Sequence, residues 1–338
     1  MTPLAQTRLW RHHPGRFQTD RERIITRMKP ESLAMAVALA KAGATPSPAD
    51  TSAPEQTIAF QGVTGAYSHL ACLTAYPDLA PLACDTFEET FAAVAEGRAW
   101  LGMIPVENSV AGRVADIHHL LPHSELSIIA EHFQRINHHL LAPPGATLAT
   151  IRTVHSHVHA LGQCRNVIRT LGLRAMVAAD TAGAAAEVAH AGDVTHAAIA
   201  SALAGQIHGL VSLKANIEDA DHNTTRFLIM AREAINPNPA RGPVVTSFLF
   251  TVRNVPAALY KTMGGFATNG VNITKLESYL ADGAFIAAQF YAEVEAHPDS
   301  PGLQLALEEL SFFSRSLRIL GVYPAHPTRF HSRLGLGL

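Results

Sequence analysis

Thr57-Ile58-Ala59-Phe60-Gln61-Gly62-Val63-Thr64-Gly65-Ala66-Tyr67-Ser68 packs the signals for a strand, a turn and a helix start into one short stretch. The β-branched and aromatic residues at its head suit a strand. Gly62 and Gly65 suit a turn that needs backbone freedom. A helical pattern then runs to about Tyr76. The same order recurs downstream. Leu101–Pro105, Ser127–His132, Thr153–His155, Ala175–Ala178 and His196–Ala200 read as strands. Ala111–Leu121, Ala160–Leu171 and Ala182–Ala191 read as helices. Such alternation predicts an α/β layer architecture with mostly parallel strands.

The pattern changes after Asn236-Pro237-Asn238-Pro239-Ala240-Arg241-Gly242-Pro243. Three prolines so close cannot continue a helix or a central strand, so 234–244 reads as a linker. Beyond it, Thr246–Val252 alternates as a strand and Ala257–Thr268 is helical, with Asn254 as cap and Pro256 in the first turn. Asn272–Ser278 is a strand. Asp282-Gly283 is a hairpin turn into a strand at Ala284–Val294. Pro301–Phe313 is a helix and Ser316–Tyr323 a last strand. The order is βαββαβ, that of the ferredoxin-like module. The chain therefore divides into an extension at 1–55, a body at 56–233, the linker, a smaller module at 245–325 and a tail at 326–338. Ala44–Pro54 is small, polar and proline-rich, a flexible connector, and 30–42 fits one helix. The acid-poor start, rich in Arg and His, fits either a transit peptide or a start codon placed too early.

With 338 residues, 48% hydrophobic and 16% charged, the chain has the balance of a globular protein of about two domains. The net charge of −2 and the lack of a basic stripe argue against nucleic acid. No apolar run approaches the ~20 residues that cross a bilayer. Cys72, Cys84 and Cys164 are too few, and too irregularly spaced, for a disulfide framework or a structural zinc site. A reducing, cytoplasmic setting is the expectation.

Four clusters can carry chemistry. Asp221-His222-Asn223-Thr224-Thr225-Arg226-Phe227 places an amide, two hydroxyls and a guanidinium at the mouth of an apolar strand, where α/β proteins dock ligands; an ordinary loop with a turn-forming Asn fits equally. Pro105-Val106-Glu107-Asn108-Ser109 offers a carboxyl, an amide and a hydroxyl near a helix start, or simple N-capping. Gly62–Ser68 lets backbone approach a ligand but is neither a dinucleotide fingerprint nor a P-loop. His155-Ser156-His157-Val158-His159, with Gln163 and Cys164 beyond, allows a hydrogen-bonding wall or a Cys–His pair. A metal site lacks a completing carboxylate motif.

Six blocks in order, GVTGAYS, PVENS, HSHVHALGQC, DTAGAA, AAIAS and NTTRF, resemble the prephenate dehydratase family over residues 57–232. The resemblance implies a two-lobed fold like that of periplasmic binding proteins, with the site between lobes. It also implies loss of water and carbon dioxide from prephenate to give phenylpyruvate, without cofactor or metal. It carries Thr225 to the leaving hydroxyl, with Glu107 as a proton source if held protonated, and Asn108, Ser156 and Gln163 as positioning groups. Gly65, Ala66, Tyr67, Ser68, Ser109, Thr181, Thr224, Arg226 and Phe227 would line the substrate. A salt bridge to the departing ring carboxylate would stabilise the ground state and slow its loss. Arg226 and the Gly62–Ser68 amides are therefore expected on the side-chain carboxylate, with Phe227 near the ring carboxylate. The rivals are arogenate dehydratase and a non-catalytic amino-acid sensor.

Residues 245–324 resemble the ACT regulatory domain joined to these enzymes. That resemblance implies side-by-side pairing in a homodimer or homotetramer, with L-phenylalanine bound between modules. The family motifs Gly-Ala-Leu and Glu-Ser-Arg-Pro correspond to Ala257-Ala258-Leu259 and Glu277-Ser278-Tyr279-Leu280 here, and both are altered. Asn269, Asn272, Glu277 and Ser278 are the polar groups expected near that interface.

Overall fold

A computed structural model describes residues 54–114, 117–253, 255–280 and 287–331. Residues 1–53 of the expected extension, the Asn254 cap and the Asp282-Gly283 turn lie outside these residues. Three sheets organise the described residues.

The first sheet has the order β2-β1-β3-β11-β5. Its strands are β1 Thr57–Gln61, β2 Ala80–Cys84, β3 Leu101–Asn108, β5 Ser127–Arg135 and β11 Thr224–Ala231, and the short β4 Gly112–Arg113 pairs β3. The second has the order β10-β6-β9-β7-β8, formed by β6 His139–Ala142, β7 Thr153–Ser156, β8 Arg174–Val177, β9 His196–Ala200 and β10 Val211–Lys214. The chain leaves the first sheet after β5 and returns with β11. Both crossings are stitched together, by Ile217 N–H on the His138 carbonyl (3.0 Å) and Ile136 N–H on the Asn223 carbonyl (2.9 Å).

The strands are not mostly parallel. β1 is parallel to β2 and β3, and β7 to β8 and β9. But β11 enters antiparallel between β3 and β5, and β6 is antiparallel to β9 and β10. The cause is the double crossing: a strand that comes back from the other lobe enters its sheet from the opposite end.

Several elements escape the sequence reading: β2, β6, β10, and the helices α2 Phe87–Ala95 and α7 Ala202–His208. The strand at Leu101 is longer than its sequence suggests, and Ala111–Leu121 yields only β4 and the short α3 Ile117–Leu120. The helix expected over Ala160–Leu171 is broken at Cys164 into α4 Val158–Gln163 and α5 Arg165–Thr170. Two helices keep their places, α1 Tyr67–Ala75 and α6 Thr181–Ala191. Asp180 caps α6 by accepting from Gly183 N–H at 2.7 Å, and Gly192 ends it at φ 64°.

The third sheet has the order β13-β14-β12-β15, from β12 Val244–Val252, β13 Ile273–Leu280, β14 Ala287–Val294 and β15 Ser314–Pro324. All its pairings are antiparallel. With α8 Ala258–Thr268 and α9 Pro301–Phe313 the order is β-α-β-β-α-β. Alternation along the strands divides its faces. Phe248, Phe250, Phe290 and Ala292 pack with Phe266, Leu303 and Leu310 from the helices. Val245, Leu249, Tyr291, Leu320 and Tyr323 pack instead on Ile104, Val106, Ile128, Leu228 and Met230 of the first sheet. Gly321 makes this approach close, since a methyl there would overlap the Ile128 carbonyl. The opposite face of the first sheet, with Phe60, Met103, Phe227 and Ile229, packs under Ala71 and Cys72 of α1.

Candidate active site

The site grows from one pair of strands. In the β3–β11 register Thr225 faces Asn108 and Arg226 faces Glu107, while Phe227 faces Pro105. The bulge this implies sits beside Pro105, which has no N–H to give the ladder. Successive residues point to opposite faces, so Thr225–Asn108 and Arg226–Glu107 belong to opposite sides of the sheet.

On one side is a polar seam where the two lobes meet. Asn108 Nδ2 donates to Thr225 Oγ1 at 3.0 Å and to Asn223 Oδ1 at 2.8 Å. Asn108 Oδ1 accepts from Val110 and Ala111 N–H at 2.9 and 2.7 Å, closing a turn and not capping a helix. Asn223 is fully buried and donates to Gln163 Oε1 at 3.0 Å. The same oxygen meets His138 Nε2 at 2.9 Å, and His138 Nδ1 meets the Tyr67 hydroxyl at 2.8 Å. Burial lowers the His138 imidazolium below its ordinary range, against the opposing pull of Gln163 and Glu218. Burial likewise pushes the Tyr67 phenol up.

Gly65 joins the lobes. Its carbonyl accepts the Ser201 hydroxyl at 2.7 Å. A methyl on Gly65 would stand 3.0 Å from Ala204 Cα, and its φ of 95° already disfavours a side chain. Of the turn's amides, Gly62 donates to the Cys84 carbonyl, Ala66 to the Val63 carbonyl and Gly65 to His69 Nδ1. Burial brings His69 down to about 4, so it is the neutral acceptor this bond needs. Tyr67 and Ser68 open the first turn of α1, where backbone N–H groups have no intrahelical acceptor. Thr181 begins α6.

The other side of the β3–β11 pair holds a buried ion cluster. The Arg226 guanidinium bonds Glu107, Glu131 and Glu293, each at 2.8 Å, and reaches the Tyr323 hydroxyl at 3.3 Å. Arg329 bridges Glu131 and Glu293 at 2.6 and 2.7 Å, although its segment reads as a tail in sequence. Lys275 of β13 pairs Glu107 and, at 3.0 Å, Glu277. Burial would raise the Glu107 carboxyl, but the Arg226 and Lys275 charges outweigh it and hold it below its usual range.

Five expectations are corrected by this geometry. Arg226 faces away from the seam and its donors are filled by three carboxylates, so it is not the substrate's anchor. Glu107 is an ionised partner of that cluster and not a protonated acid. Phe227 is core, packed with Ile58, Phe60 and Met103. Ser156 is fully buried and gives its hydroxyl to the Ile199 carbonyl at 2.6 Å. Ser109 spends its hydroxyl on the backbone of His222 and Thr224, at 2.7 and 3.0 Å, locking the loop beside Thr224. Asn108, Gln163, Thr225 and Tyr67 are brought together. Asn223, the amide of the strand-mouth cluster, joins them without having been given a role, and His138 joins unforeseen, as does Ser201 through Gly65. Asn223 lies in the polar run at the strand mouth and could have been chosen from it; His138 had no local signal.

In the third sheet, Ala257 precedes α8 at φ 61°, a left-handed conformation where the family motif has glycine. Ala258 is buried and Leu259 packs beside it in the helix–sheet core. Asn269 lies at the far end of α8, bonded to the Gly265 carbonyl and Glu309. The Asn272 carbonyl accepts from Glu295 N–H. Glu277, paired with Lys275, is turned toward the first sheet, and Ser278 lies on edge strand β13. The hollow lined by Leu305, Glu308, Phe312 and Phe313 belongs to α9, on the opposite side of this sheet from the seam.

The prephenate dehydratase family profile matches residues 58–235. A relative from Komagataeibacter europaeus, a bifunctional N-acyl-homoserine lactone acylase/prephenate dehydratase, is 54% identical over 81% of this chain and 98% of its own length. An Arabidopsis thaliana arogenate dehydratase/prephenate dehydratase is 38% identical over 79% of this chain and 71% of its own. A solved prephenate dehydratase from Arthrobacter aurescens, in complex with L-Phe, superposes with a TM-score of 0.73 at 26% identity, covering 82% of this chain and 97% of that one. With the profile spanning the strands that build the seam, the chain belongs to the prephenate dehydratase family, a family of lyases.

Proposed function

We propose that this chain converts prephenate to phenylpyruvate, with Thr225 hydrogen-bonded to the departing hydroxyl. One observation carries the reading. Asn108 Nδ2 donates to Thr225 Oγ1, so Thr225 is the acceptor in that bond and its own hydrogen stays available to a ligand. As the ring carboxylate leaves as carbon dioxide, its bonding pair enters the ring, the carbon–hydroxyl bond breaks and the ring becomes aromatic. The hydroxide needs one proton to leave as water. Thr225 stabilises it as donor and relays a proton drawn from solvent, since Glu107 lies ionised across the sheet. With Arg226 removed from the substrate, the first-turn amides of Tyr67 and Ser68 are the groups suited to the side-chain carboxylate. Purified full-length chain given prephenate should form phenylpyruvate; inactivity on prephenate with turnover of arogenate would shift the assignment to the aminated substrate.

The third sheet is read as an ACT module that senses L-phenylalanine and pairs two chains. Its support is the β-α-β-β-α-β order and the ion cluster, which joins Glu293 of β14 and Lys275 of β13 to the residues beside Thr225 and Asn108. Titration calorimetry with L-phenylalanine checks it: neither heat nor inhibition would remove the effector. The Komagataeibacter europaeus relative prompts a second reading, hydrolysis of N-acyl-homoserine lactones. It is the weaker one. The Ser156 hydroxyl is committed to Ile199, and burial pushes the Cys164 thiol up, away from a reactive thiolate. Release of acyl chain from such a lactone by the purified chain would restore it.

A further inference from the structure

The polar seam has a direction, and it can be read bond by bond. Asn108 Oδ1 accepts two backbone N–H groups, from Val110 and Ala111, so this amide cannot flip. Its nitrogen must then be the donor to Asn223 Oδ1 and Thr225 Oγ1. Asn223 accordingly turns its own nitrogen to Gln163 Oε1. An oxygen faces His138 Nε2, so the ring proton is on Nε2. Nδ1 of the neutral ring is bare and faces the Tyr67 hydroxyl, whose single hydrogen lies between two acceptors, Nδ1 and the Asn137 carbonyl, each 2.8 Å from the hydroxyl oxygen. His138 itself is held from behind, by its backbone N–H on Glu218 Oε2 at 2.9 Å and by the edge of Tyr67, ring centroids 5.4 Å apart. Two donors are left over at the ends of this chain, the Thr225 hydroxyl and the Gln163 NH2 group.

We infer that His138 is a positioning residue for the reaction, its Nε2–H turning the Gln163 amide so that the NH2 group faces the substrate. The inference rests on the dehydratase reading above. The physical reason is charge. Prephenate is a dianion whose departing hydroxyl and carboxylates are all acceptors. The opposite amide orientation would set a carbonyl oxygen against them. It would also put Gln163 nitrogen against Asn223 nitrogen. Asn223 alone could be overcome by rotation of one amide; with His138 the Gln163 oxygen has two donors and one allowed orientation.

Full-length variants test this with prephenate. His138→Leu removes the donor at similar volume and should lower kcat on the order of 10²-fold, the usual cost of a misplaced group, with KM shifted less than about threefold. His138→Gln, whose amide N–H reaches the place of Nε2, should recover to within about tenfold of the parent. In a Gln163→Ala background, His138→Leu should cost less than about twofold more, because the residue it orients is gone. Independent penalties in the double variant, or a His138→Leu enzyme with parental kcat, would overturn the proposal. If His138→Leu fails to fold, long-range proton–nitrogen NMR on the unsubstituted chain decides: a proton on Nε2 supports the arrangement and one on Nδ1 overturns it. A parent chain inactive on both prephenate and arogenate would defeat the dehydratase reading instead, with the tautomer still measurable.

Discussion

Thr225 and Arg226 follow one another on β11, and the strand sends them to opposite sides of the sheet. Thr225 meets an amide at the lobe seam; Arg226 meets three carboxylates beneath it. A sequence motif that lists them together suggests one shared task. The backbone period of two assigns them separate ones. Thr225→Val keeps shape and removes the hydroxyl. It should lower kcat by roughly 10²–10⁴-fold, the range for a positioned proton donor, while KM stays near that of the parent. Steady-state turnover of prephenate measures it, and near-parental kcat would rule out the role given to Thr225.

The β3–β11 pair is a two-sided element. Its bulge at Pro105 sets the register that puts Asn108 over Thr225 and Glu107 over Arg226. The third sheet is fastened to the second of these sides. Arg226→Met would leave two buried carboxylates, Glu131 and Glu293, to share the Arg329 cation, so it should cost about 3–5 kcal/mol, read from the denaturant midpoint. A loss under about 1 kcal/mol would mean that the cluster is solvated after all. The same element predicts acid sensitivity. Burial would raise the Glu293 carboxyl, yet the Arg226 and Arg329 charges bring it from the usual 4.5 to about 2. A depressed carboxyl contributes stability that is complete above its unfolded value and is lost as pH falls toward the folded one. Denaturant midpoints should therefore drop between about pH 5 and pH 2, and Glu293→Gln should flatten that drop; equal slopes in both chains would refute the linkage.

At the scale of the whole molecule, one of the contacts on which the two lobes close is a glycine. Gly65 is pressed against Ala204 and gives its carbonyl to Ser201 on the other lobe. Gly65→Ala adds a methyl where none fits, at a φ that costs an L-residue about 1–2 kcal/mol. The lobes should stand further apart, with KM raised and a larger radius of gyration in solution scattering. Unchanged KM and radius would show that closure does not depend on this contact. The third sheet rests on the far face of the first lobe, and the ion cluster gives it a polar route to the seam through the strands that carry Thr225 and Asn108.

Local signals in the sequence were enough for the strand-turn-helix opening at Thr57, for the helix at Pro301–Phe313, for the alternation in Thr246–Val252, and for the family, because six ordered blocks depend on nothing beyond the chain itself. They were enough, too, to draw Asn108, Gln163 and Thr225 into one site through the resemblance. They could not direct Arg226, fill Glu107 or find His138. Those outcomes are set by partners 25 to 119 residues away, at Gln163 for His138 and at Glu107 for Arg226. Side-chain chemistry says what a residue can bond to. Which bond it makes is decided by strand register and by the face each strand turns to its neighbours, and both are fixed only when the sheets have assembled.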